Sequence, residues 1–498
     1  MHTRSVLRRA FAVSLPALAL AGGPSMATAD TPIPAVSKPI PVTQASHPFG
    51  GAEFQLQPQN LKREGYVETE HLVSGNANVY TWTEPGPANV RTPGAPYTTR
   101  ILVRRPKRAE DFSGNVVVEM LNPSNLFDLN IGWALAHKQL IRHGDAWVGI
   151  TAKPIAVDAL KSFDPERYGQ LSWANPLPLS DPANCTTVAT DSSRTTENGL
   201  IWDINSQVGK WLKSDANSNP LRGEVKHLYG FGYSQTGSFL TTYVNAIHPL
   251  DVRRNGAPIY DGYIVEVSGG ATPINQCEPA VPVGDPRRVI RNAGVPVLKA
   301  MSQSDYLNAR SSLREDSDAS GDRYRYYEVA GAGHASPDEL YYSAEPDDIE
   351  KANRDVPPVG CNEGPRSRLS MSLATKAMVR NLDQWVRQGI PAPRAELITV
   401  ENGQPVLDEH GNVIGGVRSP YLDVPTATWH GSATGPSFCR IAGWEEPFSQ
   451  QKLQALYPTH DDYVGKVIRN VGQLVVDRFV TLADGLELID EANRADVP

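Results

Sequence analysis

Three residues set far apart in the chain, Ser234, Asp305 and His334, have the types that acyl transfer needs. A serine hydroxyl is a weak nucleophile until a base takes its proton. Imidazole serves as that base when a carboxylate fixes its tautomer and steadies the imidazolium. Ser234 lies in Gly232-Tyr233-Ser234-Gln235-Thr236-Gly237. Small residues on either side of such a serine allow a sharp strand-to-helix turn that lifts the hydroxyl clear of a sheet. The first N–H groups of the following helix have no intrahelical acceptor and face developing negative charge, so the Gln235 N–H is the natural first oxyanion donor. A second donor is expected from the loop after the strand Asn115 to Met120. There Pro123 has no N–H, and Ser124 and Asn125 are the candidates. Thr236 stands where the strict five-residue pattern has glycine.

His334 is the strongest of the eleven histidines. It follows a β-rich run, Tyr324 to Val329, on a loop carrying Gly331 and Gly333 that can bring the ring over Ser234. His430 is the main rival, with no strand read before it. Asp305 ends Ser302-Gln303-Ser304-Asp305, just past the strand Val295 to Met301. Asp316, Asp318 and Asp322 share the connection to His334 but read as a solvated polar loop. In a parallel sheet the strand C-termini lie along one edge, so the three side chains can converge there. This chemistry needs no metal or organic cofactor. A serine at this position argues against dehalogenase or epoxide hydrolase chemistry, which uses a carboxylate to form its ester intermediate.

The surrounding pattern supplies elements to hold these residues. Val225 to Phe231 has strand length, and the helix after the turn carries Phe239, Leu240, Tyr243, Val244 and Ile247. Asn115 to Met120, Ile131 to His143 and Ala146 to Thr151 read as strand, helix and strand, the unit of a parallel sheet. Asn198 to Lys213 is an amphipathic helix, with Leu200, Ile204, Val208 and Leu212 on one side. Tyr260 to Val267 reads as another strand. Tyr66 to Trp82 and Tyr97 to Arg105 read as antiparallel strands with a Gly/Pro-rich loop between them.

Residues 154–194 read as a long irregular segment, either a lid or a structural excursion. With Ala335 to Pro365 they are expected to shape the substrate site, where Tyr168, Trp173, Tyr341 and Tyr342 either stack on a ligand or pack their own loops. Leu369 to Arg387 reads as a helix. Glu396 to Val417 reads as a hairpin with its tip at residues 409–412. The tail reads as helices from His460 to Leu474, capped by Thr459, and from Leu482 to Ala492. The fold class is α/β, a mostly parallel central sheet flanked by helices. It is expected as one decorated domain over residues 30–498, with a possible lid insertion at 154–194 and a C-terminal extension at 396–498.

The chain has 498 residues, a net charge of −8 and a sequence pI near 5.8. That balance argues against a nucleic-acid partner, which would call for a basic face. Beyond the N-terminus no apolar run is long enough to span a membrane. Residues 1–29 read as an export signal. Arg4, Arg8 and Arg9 precede a weakly apolar core, and Ala27-Thr28-Ala29 offers a cleavage site. Arg8-Arg9-Ala10-Phe11 suits the twin-arginine route, so the mature protein is expected in the periplasm or secreted. The cysteines Cys185, Cys277, Cys361 and Cys439 are too widely spaced for a zinc site. In an oxidising compartment they are expected to form two disulfides, and three pairings are open.

Taken together, Gly232 to Gly237, Ser304-Asp305, Gly331-Ala332-Gly333-His334, Leu382-Asp383-Gln384-Trp385-Val386 and Leu456-Tyr457-Pro458-Thr459-His460 resemble the α/β-hydrolase superfamily. More narrowly, the chain resembles the large exported bacterial "alpha/beta hydrolase domain-containing" proteins, over most of its mature length. The resemblance implies a serine esterase acting on a small-molecule ester through an acyl-enzyme. An acyltransferase or amidase using the same triad is the alternative, as is a non-catalytic binding protein on the same scaffold. It does not fix the substrate or the oligomeric state.

Overall fold

The computed structural model describes residues 30–186 and 193–498; the expected export signal lies outside them. A ten-stranded sheet runs through the molecule. Its strands are β1 (Ala35–Val36), β2 (Tyr66–Thr81), β3 (Asn89–Pro106), β4 (Asn115–Leu121), β5 (Ala146–Thr151), β6 (His227–Tyr233), β7 (Gly262–Glu266), β8 (Val297–Ser302), β9 (Ser317–Ala319) and β10 (Asp322–Val329). Their order is β1-β2-β3-β5-β4-β6-β7-β8-β10-β9. The inner run from β5 to β10 is parallel, and antiparallel pairs finish both sides. The α/β architecture expected from the sequence is therefore present.

The central strands are buried on both faces, which is why β4 carries the run Val116-Val117-Val118 with Met120 and Leu121 and buries even its Glu119. Helices Ile131–His143, Ile201–Leu212, Gln235–Thr242 and Ser372–Gln388 flank them. The first and last close on Gly144 and Gly389, both left-handed, where a side chain would be strained. The chain winds one way from β4 to β5 and the other way to β6. That reversal opens a crevice at the C-terminal ends of β4 and β6.

Several local readings change. β3 runs on through the Gly/Pro-rich stretch, pairing β2 back to Asn89. Pro93 and Pro96 are tolerated because β5 covers only Ile101 to Arg104 of the other edge. The segment read as irregular from residue 154 opens with two helices, Pro154–Phe163 and Pro165–Tyr168. Each begins on a proline, which the first helical position accepts because its N–H has no partner there anyway. The expected hairpin at 396–417 splits. A tight ribbon turns at Asn402-Gly403, and Leu407 bridges Val413 around the residues named as its tip. The tail helices run His460–Val476 and Leu482–Arg494. The Thr459 hydroxyl accepts from the Asp462 N–H as the N-cap. These helices carry a small apolar cluster of their own, around Tyr457, Val467, Val471 and Leu488.

Disulfides join Cys185 to Cys277 and Cys361 to Cys439. Both are compatible with an oxidising compartment. Among the described residues no helix is long and apolar enough to cross a membrane.

Candidate active site

At the end of β6 the chain turns through Ser234, at φ 56° and ψ −116°, before the helix Gln235–Thr242 begins. A non-glycine residue held there costs about 1–3 kcal/mol. Hydrogen bonds fix the turn: the Ser234 N–H donates to the Glu266 carbonyl at 3.0 Å, and the Ser238 N–H donates to the Ser234 carbonyl at 3.0 Å.

The glycines mark where strand and helix nearly touch. A Cβ at Gly232 would lie 2.4 Å from the Thr236 carbonyl oxygen, and one at Gly237 would lie 2.6 Å from that of Glu266. The second close approach thus falls one residue later than the strict pattern, at Gly237. Thr236 has room and ties the turn, its hydroxyl donating to the Tyr233 carbonyl at 3.1 Å and accepting from the Tyr233 N–H at 3.2 Å. Gly232→Ala is expected to lose about 1–3 kcal/mol of stability, because a backbone carbonyl cannot step aside as a flexible side chain can. A urea unfolding midpoint equal to that of the parent would contradict this.

The structure brings Ser234, His334 and Asp305 together. His334 Nε2 lies 2.8 Å from Ser234 Oγ, and His334 Nδ1 lies 2.8 Å from Asp305 Oδ2. Asp305 follows β8 and His334 follows β10, so neighbouring parallel strands set the pair. The Ser302 hydroxyl donates to Asp305 Oδ2 at 2.6 Å. Burial pulls the His334 pKa down, but the charge and hydrogen bond of Asp305, with the charge of Glu339 behind them, outweigh it and the net shift is upward.

The histidine loop is held from outside the sheet. The Ile441 carbonyl accepts from the N–H groups of His334 and Ala335, at 2.9 and 3.0 Å. The Ser304 hydroxyl bonds the Gly431 and Ile441 carbonyls, at 2.6 and 3.0 Å. The Tyr233 hydroxyl donates to the His334 carbonyl at 2.7 Å, from the residue before the serine. Gly333 packs against the Ala442 carbonyl so closely that no side chain fits.

The candidates set aside are engaged elsewhere. His430 ends a short strand, stacks on Trp444 and bonds Glu446 at 2.9 Å. Asp318 pairs with Arg325 and Arg394, Asp322 pairs with Arg314, and Asp316 accepts from the Tyr326 N–H. These aspartates serve ion pairs and backbone contacts around the β9–β10 hairpin; Asp318 is exposed as expected, while Asp316 and Asp322 are half-buried.

In the loop after β4, the Asn122 side chain donates to the Tyr233 carbonyl at 2.7 Å and accepts from the Ser124 N–H at 2.8 Å. That uses the Ser124 N–H. The Ser124 hydroxyl lies 3.3 Å from the Gln235 side-chain oxygen, and Asn125 faces the same cleft as Ser234.

The cleft is narrow, with a volume of ≈ 20 Å³, room for about one water. Leu129, Ile131, Leu340 and Phe438 form its apolar walls, and Glu339 and Arg366 bring charge to it. Its lining includes residues of the segment after His334 and of the C-terminal extension, with none from the described residues of 154–194. The Tyr168 hydroxyl instead donates to buried Glu70 at 2.7 Å, and Tyr342 packs edge-on against His137. Sequence reasoning assigned no role to Tyr233, Glu339, Arg366, Phe438 or Ile441 individually. Tyr233 lies inside the serine motif and Glu339 inside the segment Ala335 to Pro365 expected to shape the substrate site, while Phe438 precedes Cys439.

The sequence model of a family described as "Alpha/beta hydrolase domain" matches residues 36–490. No curated protein is similar enough to count as a match. Among solved structures the chain is similar to a fungal esterase from Rhizomucor miehei, at 10% identity and a TM-score of 0.30, covering 57% of this chain and 81% of that one. It is similar to a thermostable esterase from Pseudomonas putida ECU1011, at 11% identity and a TM-score of 0.31, covering 58% and 80%. It is also similar to an esterase from Pyrobaculum calidifontis, at 12% identity and a TM-score of 0.28, covering 57% and 82%.

Proposed function

The chain belongs to the alpha/beta hydrolase domain family, and from that premise we propose that it is an exported serine hydrolase cleaving carboxylic esters through Ser234, His334 and Asp305. The observation that carries this reading is the unbroken chain of contacts from the Ser234 hydroxyl through both ring nitrogens of His334 to the Asp305 carboxylate, each link 2.8 Å.

In the first half of the reaction Ser234 Oγ attacks the ester carbonyl as its proton passes to His334 Nε2. Asp305 holds the Nδ1–H tautomer and steadies the imidazolium. Negative charge on the carbonyl oxygen is met by the Gln235 N–H at the helix start. The N–H of Asn125 is the second donor, since that of Ser124 is committed to Asn122. The tetrahedral intermediate collapses, His334 returns the proton to the leaving alcohol, and an acyl-enzyme remains. Water then repeats the attack with His334 as base, which frees the acid and restores Ser234. An acyltransferase would differ only in admitting an alcohol at that last step, and product analysis with added alcohol separates the two. The disulfides support export to an oxidising compartment, and the Arg8-Arg9 pattern ahead of a weakly apolar core favours the twin-arginine route.

The direct test is labelling of the mature protein with a fluorophosphonate, the modified peptide being located by mass spectrometry. Labelling at Ser234 that is lost in His334→Ala is the expected result. Well-folded protein that resists the probe would count against the reading.

The pH dependence has a definite sign. Only neutral His334 can accept the proton, so kcat/KM rises as pH climbs through the His334 pKa of the free enzyme. That pKa is raised, so the acidic limb is expected above the ordinary histidine value of about 6.5. A limb at or below the ordinary value, in a pH profile of ester hydrolysis, would contradict the pull assigned to Asp305.

A further inference from the structure

The charged wall of the cleft bears on the substrate, given the reading of Ser234 as nucleophile. Arg366 directly follows the small ribbon Gly360–Pro365, and its side chain lines the same cleft as Ser234 and His334. It is 3% exposed. Its Nη1 reaches the Ala335 carbonyl at 3.5 Å, while Nε and Nη2 are buried with no partner among the described residues. A guanidinium stays charged at any ordinary pH, and burying it without a carboxylate is costly. The nearest candidate, Glu339, is 8% exposed in the same cleft, yet its Oε1 is also unpaired. The two side chains face one space without closing on each other. The free N–H groups of Arg366 match a planar group with two oxygens.

We propose that Arg366 receives a carboxylate carried by the substrate, so that the protein's esters are those bearing a free carboxylate near the scissile bond. The other groups facing this spot fit that role. Asp305 is engaged with His334 and Ser302. Burial, above all, pushes the Glu339 carboxyl up to about 7, against the pull of His334 and Arg366. Near neutral pH a large share of Glu339 is therefore uncharged and can donate a hydrogen bond to an incoming carboxylate instead of repelling it.

The test uses two matched pairs of esters on the full mature protein. Monomethyl glutarate against methyl pentanoate places the carboxylate on the acyl side. 4-Acetoxybenzoate against 4-methylphenyl acetate places it on the leaving group. In at least one pair the charged member is expected to show a kcat/KM about 10- to 100-fold higher, the range for a charge-assisted pair made in a buried site. The ratio should fall towards one in Arg366→Gln and partly return in Arg366→Lys. Should the variants fold poorly, the parent protein alone decides. Pentanoate is expected to inhibit hydrolysis of a neutral ester at lower concentration than pentanamide, its uncharged counterpart, does. Turnover of the neutral esters with no preference in either pair, and equal inhibition by the two compounds, would overturn the proposal and leave the esterase reading intact. No turnover of any ester, together with no fluorophosphonate labelling, would overturn the esterase reading and this inference with it.

Discussion

Ser234→Ala is expected to lower kcat by about 10⁴- to 10⁶-fold while leaving the protein folded. The serine side chain contributes little to packing at the turn. Its hydroxyl bonds His334, and the backbone bonds to Glu266 and Ser238 do not need the hydroxyl. The methyl group of alanine must still occupy positive φ, but so did the serine, and the strain is nearly unchanged. The residual rate comes from the oxyanion donors acting on a water held near His334. The measurement is single-turnover hydrolysis of an activated ester with the variant purified away from host esterases, next to a far-UV spectrum and an unfolding curve. A loss of less than about 10² at unchanged stability would mean that Ser234 is not the nucleophile.

Asp305→Asn is the second large effect, expected at about 10³- to 10⁴-fold in kcat/KM. An asparagine amide can turn either face towards His334 Nδ1. With its oxygen there, the bond is kept but the charge that stabilises the imidazolium is gone. With its NH₂ there, His334 carries its proton on Nε2 and cannot accept from Ser234. The Ser302 hydroxyl, which donates to Asp305 Oδ2 at 2.6 Å, can rotate to suit either orientation, so nothing nearby forces the productive one. The same change removes the main upward pull on His334 and leaves burial to act, so the acidic limb of the pH profile must move down. Rate loss with an unmoved limb would show that Asp305 acts only through structure.

The fold was legible where local pattern and global role agree. The apolar run of β4, the helix after Ser234 and the N-cap Thr459 each carry their meaning within a few residues. The order of serine, aspartate and histidine on successive strand ends follows from the geometry of a parallel sheet, so these candidates could be chosen without coordinates. What escaped was decided by contacts distant in sequence. Arg366 and Glu339 are ordinary surface residue types until folding buries them beside Ser234. Ile441 acts through its carbonyl, which no side-chain pattern reveals. Proline misled twice, in β3 and at Pro154, because its cost depends on whether the missing N–H faced a partner, and that is a property of the neighbouring strand or turn.

The reach of the C-terminal extension has a consequence for biosynthesis. Translation delivers Ser234, Asp305 and His334 well before Ile441. Until that residue emerges, the histidine loop has no carbonyl to receive the N–H groups of His334 and Ala335, and the Ser304 hydroxyl lacks both its acceptors. A growing chain can thus form the turn at Ser234 while the loop that carries His334 still lacks these outer ties. On the serine-hydrolase reading, fragments that end before Ile441 are expected to be poor catalysts.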